Sequence, residues 1–374
     1  MLLVSLAAGC SGLRMDRPVI PQRDDWPTAG RTNSRLASTA GTLKPPLRQA
    51  WEVDLAAGFG SGSPLVIDTL VLTGNLRGEL CAVNLRTGKK IGSIHLGDAV
   101  PGSPVVEGSI AYLPLTGSGE SLVAFNLNEG KTAWRESHGD VEMSPLLKDR
   151  KLYFGTTGGE VYCLDCVTGA MVWKYEIPEN TMFLGFRATP AALDSLVFFG
   201  DDGGILYAFS AATGSLRWRT PAGGSVAAGI AVAEGVVVAG TIGGTLLGCD
   251  ASSGRVRWRY DAGAPLYAAP VGSGDTVYAG SLSGVVHAVR CTDGRGIWKT
   301  ALEGPINAAA LVSGDYLYVG TLKKHIVGLL RWDGSQIWSQ DVDGRIKTAP
   351  AAAYGRLLVA TDEHTMVCYV EGSQ

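Results

Sequence analysis

The sequence predicts an all-β fold, an eight-bladed β-propeller of four-stranded antiparallel blades. Three observations predict it. A turn phrase recurs about every forty residues, a phrase of paired apolar strands recurs eight times, and no window carries sustained helical periodicity. The clearest turn phrase is LLGCDASSGRVRW, Leu246–Trp258: an apolar strand, an Asp, a Ser-Gly turn, and a Trp four residues after the Gly. Its glycine recurs as Gly88, Gly130, Gly169, Gly214, Gly254, Gly294 and Gly334, in steps of 42, 39, 45, 40, 40 and 40 residues. A unit of that length holds four short strands, the content of one propeller blade.

Taken in order, the strand-pair phrase reads SPLVIDTLVLTG (63–74), SPVVEGSIAYLPL (103–115), SPLLKDRKLYFG (144–155) and TPAALDSLVFFG (189–200). It continues as AGIAVAEGVVVAG (228–240), APVGSGDTVYAG (269–280), AALVSGDYLYVG (309–320) and APAAAYGRLLVA (349–360). Eight pairs with seven turns leave one outer strand missing at the C-terminal end. Trp51 stands in RQAWEVDL before the first pair, so strand 49–54 is expected to complete the last blade, whose inner strands fall at about 346–370. Such closure leaves no free ring edge.

Trp134, Trp173, Trp218, Trp258, Trp298 and Trp338 follow their turn glycines by four residues, and Trp51 heads the closing strand; the first turn has Gly92 instead. A flat side chain on an outer strand can cover the bare backbone of a Gly turn, burying ~150–250 Å². These seven residues are read as structural inter-blade packing, not as cofactor stackers.

Composition narrows the class. The formal charge is −3 with 18% charged residues, so there is no basic stripe and no case for nucleic acid. Eight similar units make one closed domain, over 48–371. Five of the six cysteines other than Cys10 lie on or beside the apolar third strand of different blades, and they read as small buried hydrophobes. Cys163 and Cys166 have CxxC spacing, but they straddle a strand end without a helix start to lower a thiol pKa, so no zinc or redox role is expected.

The N-terminal MLLVSLAAGC is a short apolar run ending in small residues before a Cys. It resembles the end of a bacterial lipoprotein signal peptide: 1–9 removed, lipid attached at Cys10, the protein anchored to a membrane. Ser11, rather than Asp, resembles the outer-membrane sorting signal. The competing reading is a soluble chain with an apolar N-terminus. Residues 10–47, with Pro18, Pro21, Pro27, Pro45 and Pro46, are expected to form a flexible tether.

The phrase AxDxxTGxxxW, best matched by CLDCVTGAMVW (163–173), AFSAATGSLRW (208–218) and GCDASSGRVRW (248–258), resembles the pyrroloquinoline-quinone (PQQ)-like repeat family over about 48–371. Asp25-Trp26-Pro27 resembles the lead-in to its propellers. The resemblance implies the fold and leaves function open. Quinoprotein dehydrogenases of the family are longer and carry an adjacent Cys pair and a calcium site. Here no two Cys are adjacent and the five His do not recur at one repeat position. The acidic pairs Asp201-Asp202 and Asp362-Glu363 fall in turns, where solvated acids are the ordinary expectation. No catalytic, cofactor-binding or metal residue is assigned.

A lipid-anchored ring without chemistry is similar in type to the barrel-assembly lipoproteins of the outer membrane. That resemblance implies a non-catalytic scaffold facing the periplasm, monomeric within a larger complex and bound to the insertase of outer-membrane β-barrels. In that family the insertase contact includes Leu-x-Leu-Arg. The longest interval here holds EIPENTMFLGFRATP (176–190), making Leu184, Phe186 and Arg187 the partner-binding candidates. In the competing reading this run begins the inner strand of blade four with its aromatics buried. The family's paired acids in the following blade have no counterpart in GGSVAAGIAVAEG (223–235). Two other functions stay open: an envelope lipoprotein binding another protein or a polysaccharide, and a quinone- or metal-dependent oxidoreductase.

Overall fold

The computed structural model describes residues 12–15, 22, 24–39, 41–117, 119–178 and 185–372. The described residues form eight four-stranded antiparallel sheets arranged as an eight-bladed propeller. Blades 1 to 7 run Leu65–His95, Val105–Glu136, Leu146–Glu176, Ala191–Pro221, Ile230–Asp261, Val271–Ala301 and Leu311–Asp341. Blade 8 takes three strands from Ala351–Glu371 and its outer strand from Leu47–Asp54, so the first and last strands share one sheet, as the sequence predicts.

The repeat phrase is legible in its hydrogen bonds. In blade 5, Asp250 Oδ1 accepts from the Ser252 and Ser253 amides at 3.1 and 3.0 Å and from both hydroxyls. This Asx turn hands the chain to Gly254 at φ +70°, where a side chain is disfavoured. Those donors and Arg257 hold the Asp250 carboxyl well below the usual range. The outer strand then bulges opposite Gly248 and Cys249, which brings Trp258 directly across from Gly248. A small residue lies under each such Trp, as Ala124, Ala208, Ala288 and Gly328 do elsewhere.

Six of the seven indoles also tie their blade to the next by a hydrogen bond. Trp51 Nε1 donates to Leu85 O at 2.9 Å, Trp134 to Cys166 O at 3.0 Å, and Trp173 to Ala211 O at 3.1 Å. Trp218 reaches Ala251 O, Trp258 reaches Cys291 O, and Trp298 reaches Arg331 O, at 3.0, 2.7 and 2.9 Å. Trp338 faces blade 8, whose outer strand pair joins Leu47–Asp54 to Thr365–Glu371 without a hairpin turn, and it packs edge-on against Tyr369 instead. At blade 1, which has Gly92 in place of Trp, Leu13 fills the slot, buried to 1%, and Met15 N donates to Leu127 O at 2.7 Å.

The described part of the expected tether is packed structure. Val66 exchanges backbone bonds with Trp26, and the Ala192, Val232, Gly272 and Val312 amides donate to the carbonyls of Asn33, Ser34, Leu36 and Ala37. These are inner-edge strand positions of blades 1, 4, 5, 6 and 7. Their N–H groups face the central channel and need acceptors once buried. Residues 26–37 supply them and plug one end of the channel. The Pro- and Ser-rich composition reads as a linker only because backbone atoms make the contacts. Of the acidic turns, Asp201 also departs from expectation: it is fully buried, accepting from Ile205 N at 2.7 Å and Tyr207 OH at 2.8 Å.

Candidate functional site

The candidate site is the channel with its plug and the opposite mouth, where blades 3 and 4 meet. Arg35 organises the plug. It is buried, and its guanidinium donates to Pro190 O at 3.0 Å, Pro145 O at 2.9 Å, Thr28 Oγ1 at 2.7 Å and the Ala29 carbonyl. With no carboxylate partner, burial pulls its pKa down to about 9. Asp25 completes the plug, accepting from Asp68 N at 2.7 Å and Tyr354 OH at 2.8 Å. The channel left beneath is lined by Trp26, Arg35 and Ala37 from the plug and by small residues such as Ser63, Ser144, Thr189 and Gly229 from the blades. Tyr267 and Asn307 stand toward the other mouth, and among the described residues that line the cavity none is a carboxylate.

Phe186 and Arg187 fall at this mouth, on the approach to blade 4. Phe186 is buried, 2% exposed, with its ring edge-on to Phe199 at 6.0 Å and Tyr207 at 5.5 Å. It covers Gly155, where an added Cβ would come within 2.2 Å of the Phe186 Cβ. Val226, Leu266, Ile306 and Ile346 cover Gly200, Gly240, Gly280 and Gly320 in the same way. Phe186 is thus a repeat-wide packing residue rather than an exposed contact, which corrects its candidacy. Leu184 lies outside the described residues.

Arg187 is the candidate that reaches solvent. Its side chain is 43% exposed, 3.0 Å from Asp202 and 3.6 Å from Glu142. Glu142, Tyr267 and Asn307 hold the repeat position equivalent to Arg187, one residue beyond the packing residue. Burial raises the Asp202 pKa while the Arg187 charge opposes that rise. Nε faces Asp202 and Nη1 faces Glu142, so the two carboxylates hold the guanidinium at the rim with its outer part in solvent.

The predicted structural tryptophans stand at the blade interfaces described above. Cys10 lies outside the described residues; among the described residues no helix is long and apolar enough to cross a membrane. Among the described residues no cluster of three His, Cys, Asp or Glu side chains could hold a metal, and Cys81, Cys163, Cys166, Cys249, Cys291 and Cys368 are buried free thiols. Burial pushes Cys163 up to about 12 and Cys166 up to about 11, the direction of inert thiols. Arg35, Asp25 and Leu13 are site residues that the composition of the N-terminal segment concealed.

Comparison with known proteins places the fold and the repeats together. The chain is 30% identical over 128 residues to an outer membrane protein assembly factor BamB of Kangiella koreensis, covering 31% of this chain and 32% of that protein. It is 29% identical over 160 residues to the dehydrogenase subunit of a quinone alcohol dehydrogenase of Komagataeibacter europaeus, 40% of this chain and 17% of that protein. The alignments thus span a third or less of these relatives. The crystal structure of BamB from Moraxella catarrhalis superposes with a TM-score of 0.73 at 20% identity, over 87% of this chain and 99% of that one, a likeness of fold. A family model described as outer membrane protein assembly factor BamB matches residues 44–199, 201–282 and 282–371. Spanning every blade, that match shows that the chain belongs to the BamB family of PQQ-like repeat propellers.

Proposed function

We propose that the chain is a non-catalytic, lipid-anchored scaffold that assists the assembly and insertion of outer-membrane β-barrel proteins. It works at the periplasmic face of the outer membrane as a monomer within a larger complex, bound to the barrel insertase. The observation that carries this reading is the family match across all eight blades. The channel supports it: residues 26–37 occupy one end, and its lining offers hydroxyls, small apolar groups and a guanidinium already bound to carbonyls. The rim is left as the working surface, with Arg187 as its contact and Leu184 beside it in sequence.

Capture of the tagged protein from its own membranes in gentle detergent, followed by mass spectrometry, tests this. The insertase co-purifies with wild type and falls about tenfold or more with Arg187→Glu, the effect of losing ~1.4 kcal/mol or more of binding. Capture of some other envelope protein or a polysaccharide, with no insertase, contradicts the assignment.

A further inference from the structure

One repeat position divides the channel wall into two chemical halves. It holds Ser63, Ser103, Ser144 and Thr189 in blades 1 to 4, and Gly229, Ala269, Ala309 and Ala349 in blades 5 to 8. Arg35 stands against the hydroxyl half, since the carbonyls it binds, Pro145 O and Pro190 O, belong to the residues that directly follow Ser144 and Thr189. Its bonds leave one Nη2 hydrogen without an acceptor among the described residues, and no described carboxylate lies within ion-pair distance of its charge. Other donors here are also in surplus. Ser144 Oγ accepts from Ser103 N at 2.7 Å, which leaves its own hydrogen to give, and Thr189 Oγ1 makes no bond among the described residues. Trp26, fully buried at the plugged end, has an indole Nε1 without a partner. Arg35, Ser144, Thr189 and Trp26 all line one chamber of about 90 Å³. A buried cation matched only by neutral oxygens, among surplus donors, is a site short of one negative charge.

We infer that the channel is a binding pocket for a short-chain organic carboxylate. The carboxylate head meets Arg35, Ser144 and Thr189 toward the plugged end, on the side of blades 3 and 4. The apolar body lies along Ala269, Ala309 and Ala349, where a fully hydrated anion finds no partner. One water needs ~10–15 Å³, so the chamber takes a molecule of roughly six heavy atoms. A guanidinium bond to a carboxylate is charge-assisted, and the low dielectric inside the ring strengthens it. Inorganic phosphate matches the donors but not the apolar wall. Entry is through the open mouth, past Tyr267 and Asn307. The pocket uses none of the Arg187 rim, so it stands or falls independently of the scaffold role.

Ligand-observed NMR with butyrate, on the full chain in detergent, tests the pocket. Butyrate binds with a Kd of about 1 mM or tighter, and butyramide, of the same shape without the charge, binds at least about tenfold more weakly. Thr189→Val removes a hydroxyl that holds nothing else in the fold, and weakens butyrate about fivefold or more. Ala309→Leu fills the chamber and abolishes binding, with thermal melts confirming that both variants are folded. No butyrate binding up to about 10 mM, equal binding of butyramide, or unchanged affinity in the two variants overturns the inference. Phosphate binding as tight as butyrate overturns it too, because the apolar half of the wall would then contribute nothing.

Discussion

The Met15 amide donates to the Leu127 carbonyl at 2.7 Å, the acceptor position that an indole Nε1 occupies at six other blade junctions. Blade 1 lacks its Trp at Gly92, and the N-terminal segment supplies both missing parts: Leu13 for the packing and Met15 for the hydrogen bond. Leu13→Asp is expected to release residues 12–15 as a unit and to increase amide exchange at Met15. The ring's denaturant midpoint stays within ~1 kcal/mol of wild type, because the strap opens locally. Hydrogen exchange with mass spectrometry reads both effects.

Trp258→Ala removes a buried indole and its bond to Cys291 O, and is expected to cost ~3–5 kcal/mol. Gly294→Ala attacks the same contact from the other side. An added Cβ would stand 2.6 Å from the Trp258 Cβ on a backbone at φ +74°, for a cost of at least ~2 kcal/mol. The two changes are in contact, so the double variant loses less than the sum. Denaturant melts of the three variants check this.

Arg35→Ala leaves the Pro145, Pro190 and Ala29 carbonyls without their donor in a buried plug. The expected cost is ~3–5 kcal/mol, and Arg35→Lys does not rescue it, since one ammonium cannot span carbonyls on two blades and the plug. Thermal melts of the pair separate loss of charge from loss of the planar fork.

His287 is buried, with Nδ1 3.0 Å from Tyr260 OH. Burial, with Lys299 adding to it, pulls its pKa from 6.5 down to about 4. The folded state therefore resists protonation that the unfolded chain accepts. Stability is unaffected above pH 6.5, falls between pH 6.5 and 4, and levels off below, a loss of up to ~3 kcal/mol. His287→Gln is expected to flatten that part of the pH profile. Equal slopes for the two proteins would contradict the assignment.

The ring was legible because side chains write it. The turn glycines, the Trp four residues on and the strand-pair phrase give the blade count, and solitary Trp51 gives the closure. The plug was not legible, because backbone atoms of Asn33, Ser34, Leu36 and Ala37 make its contacts and impose no residue pattern. Phe186 carried a signal that its composition masked. It stands four residues before Pro190, as Val100, Val141, Leu266 and Ile346 stand before Pro104, Pro145, Pro270 and Pro350. That spacing marks a packing position over the end of the second strand of the preceding blade, a glycine in each of these blades except blade 2, where it is Pro114. Asp201 likewise shares its buried repeat position with Asn75, Thr156, Thr241, Ser281, Thr321 and Thr361, so an acid there is drawn inward by the fold. Arg187, one residue past the packing position, is exposed for the same periodic reason.

The scaffold role is tested most directly by depleting the protein from its own cells and measuring folded outer-membrane β-barrel proteins by their heat-modifiable gel mobility. The scaffold reading predicts a fall in folded barrels that wild type restores and Arg187→Glu restores poorly. Unchanged barrel levels, with loss of a quinone-linked alcohol oxidation instead, would contradict it and place the chain with the dehydrogenases that share its repeats.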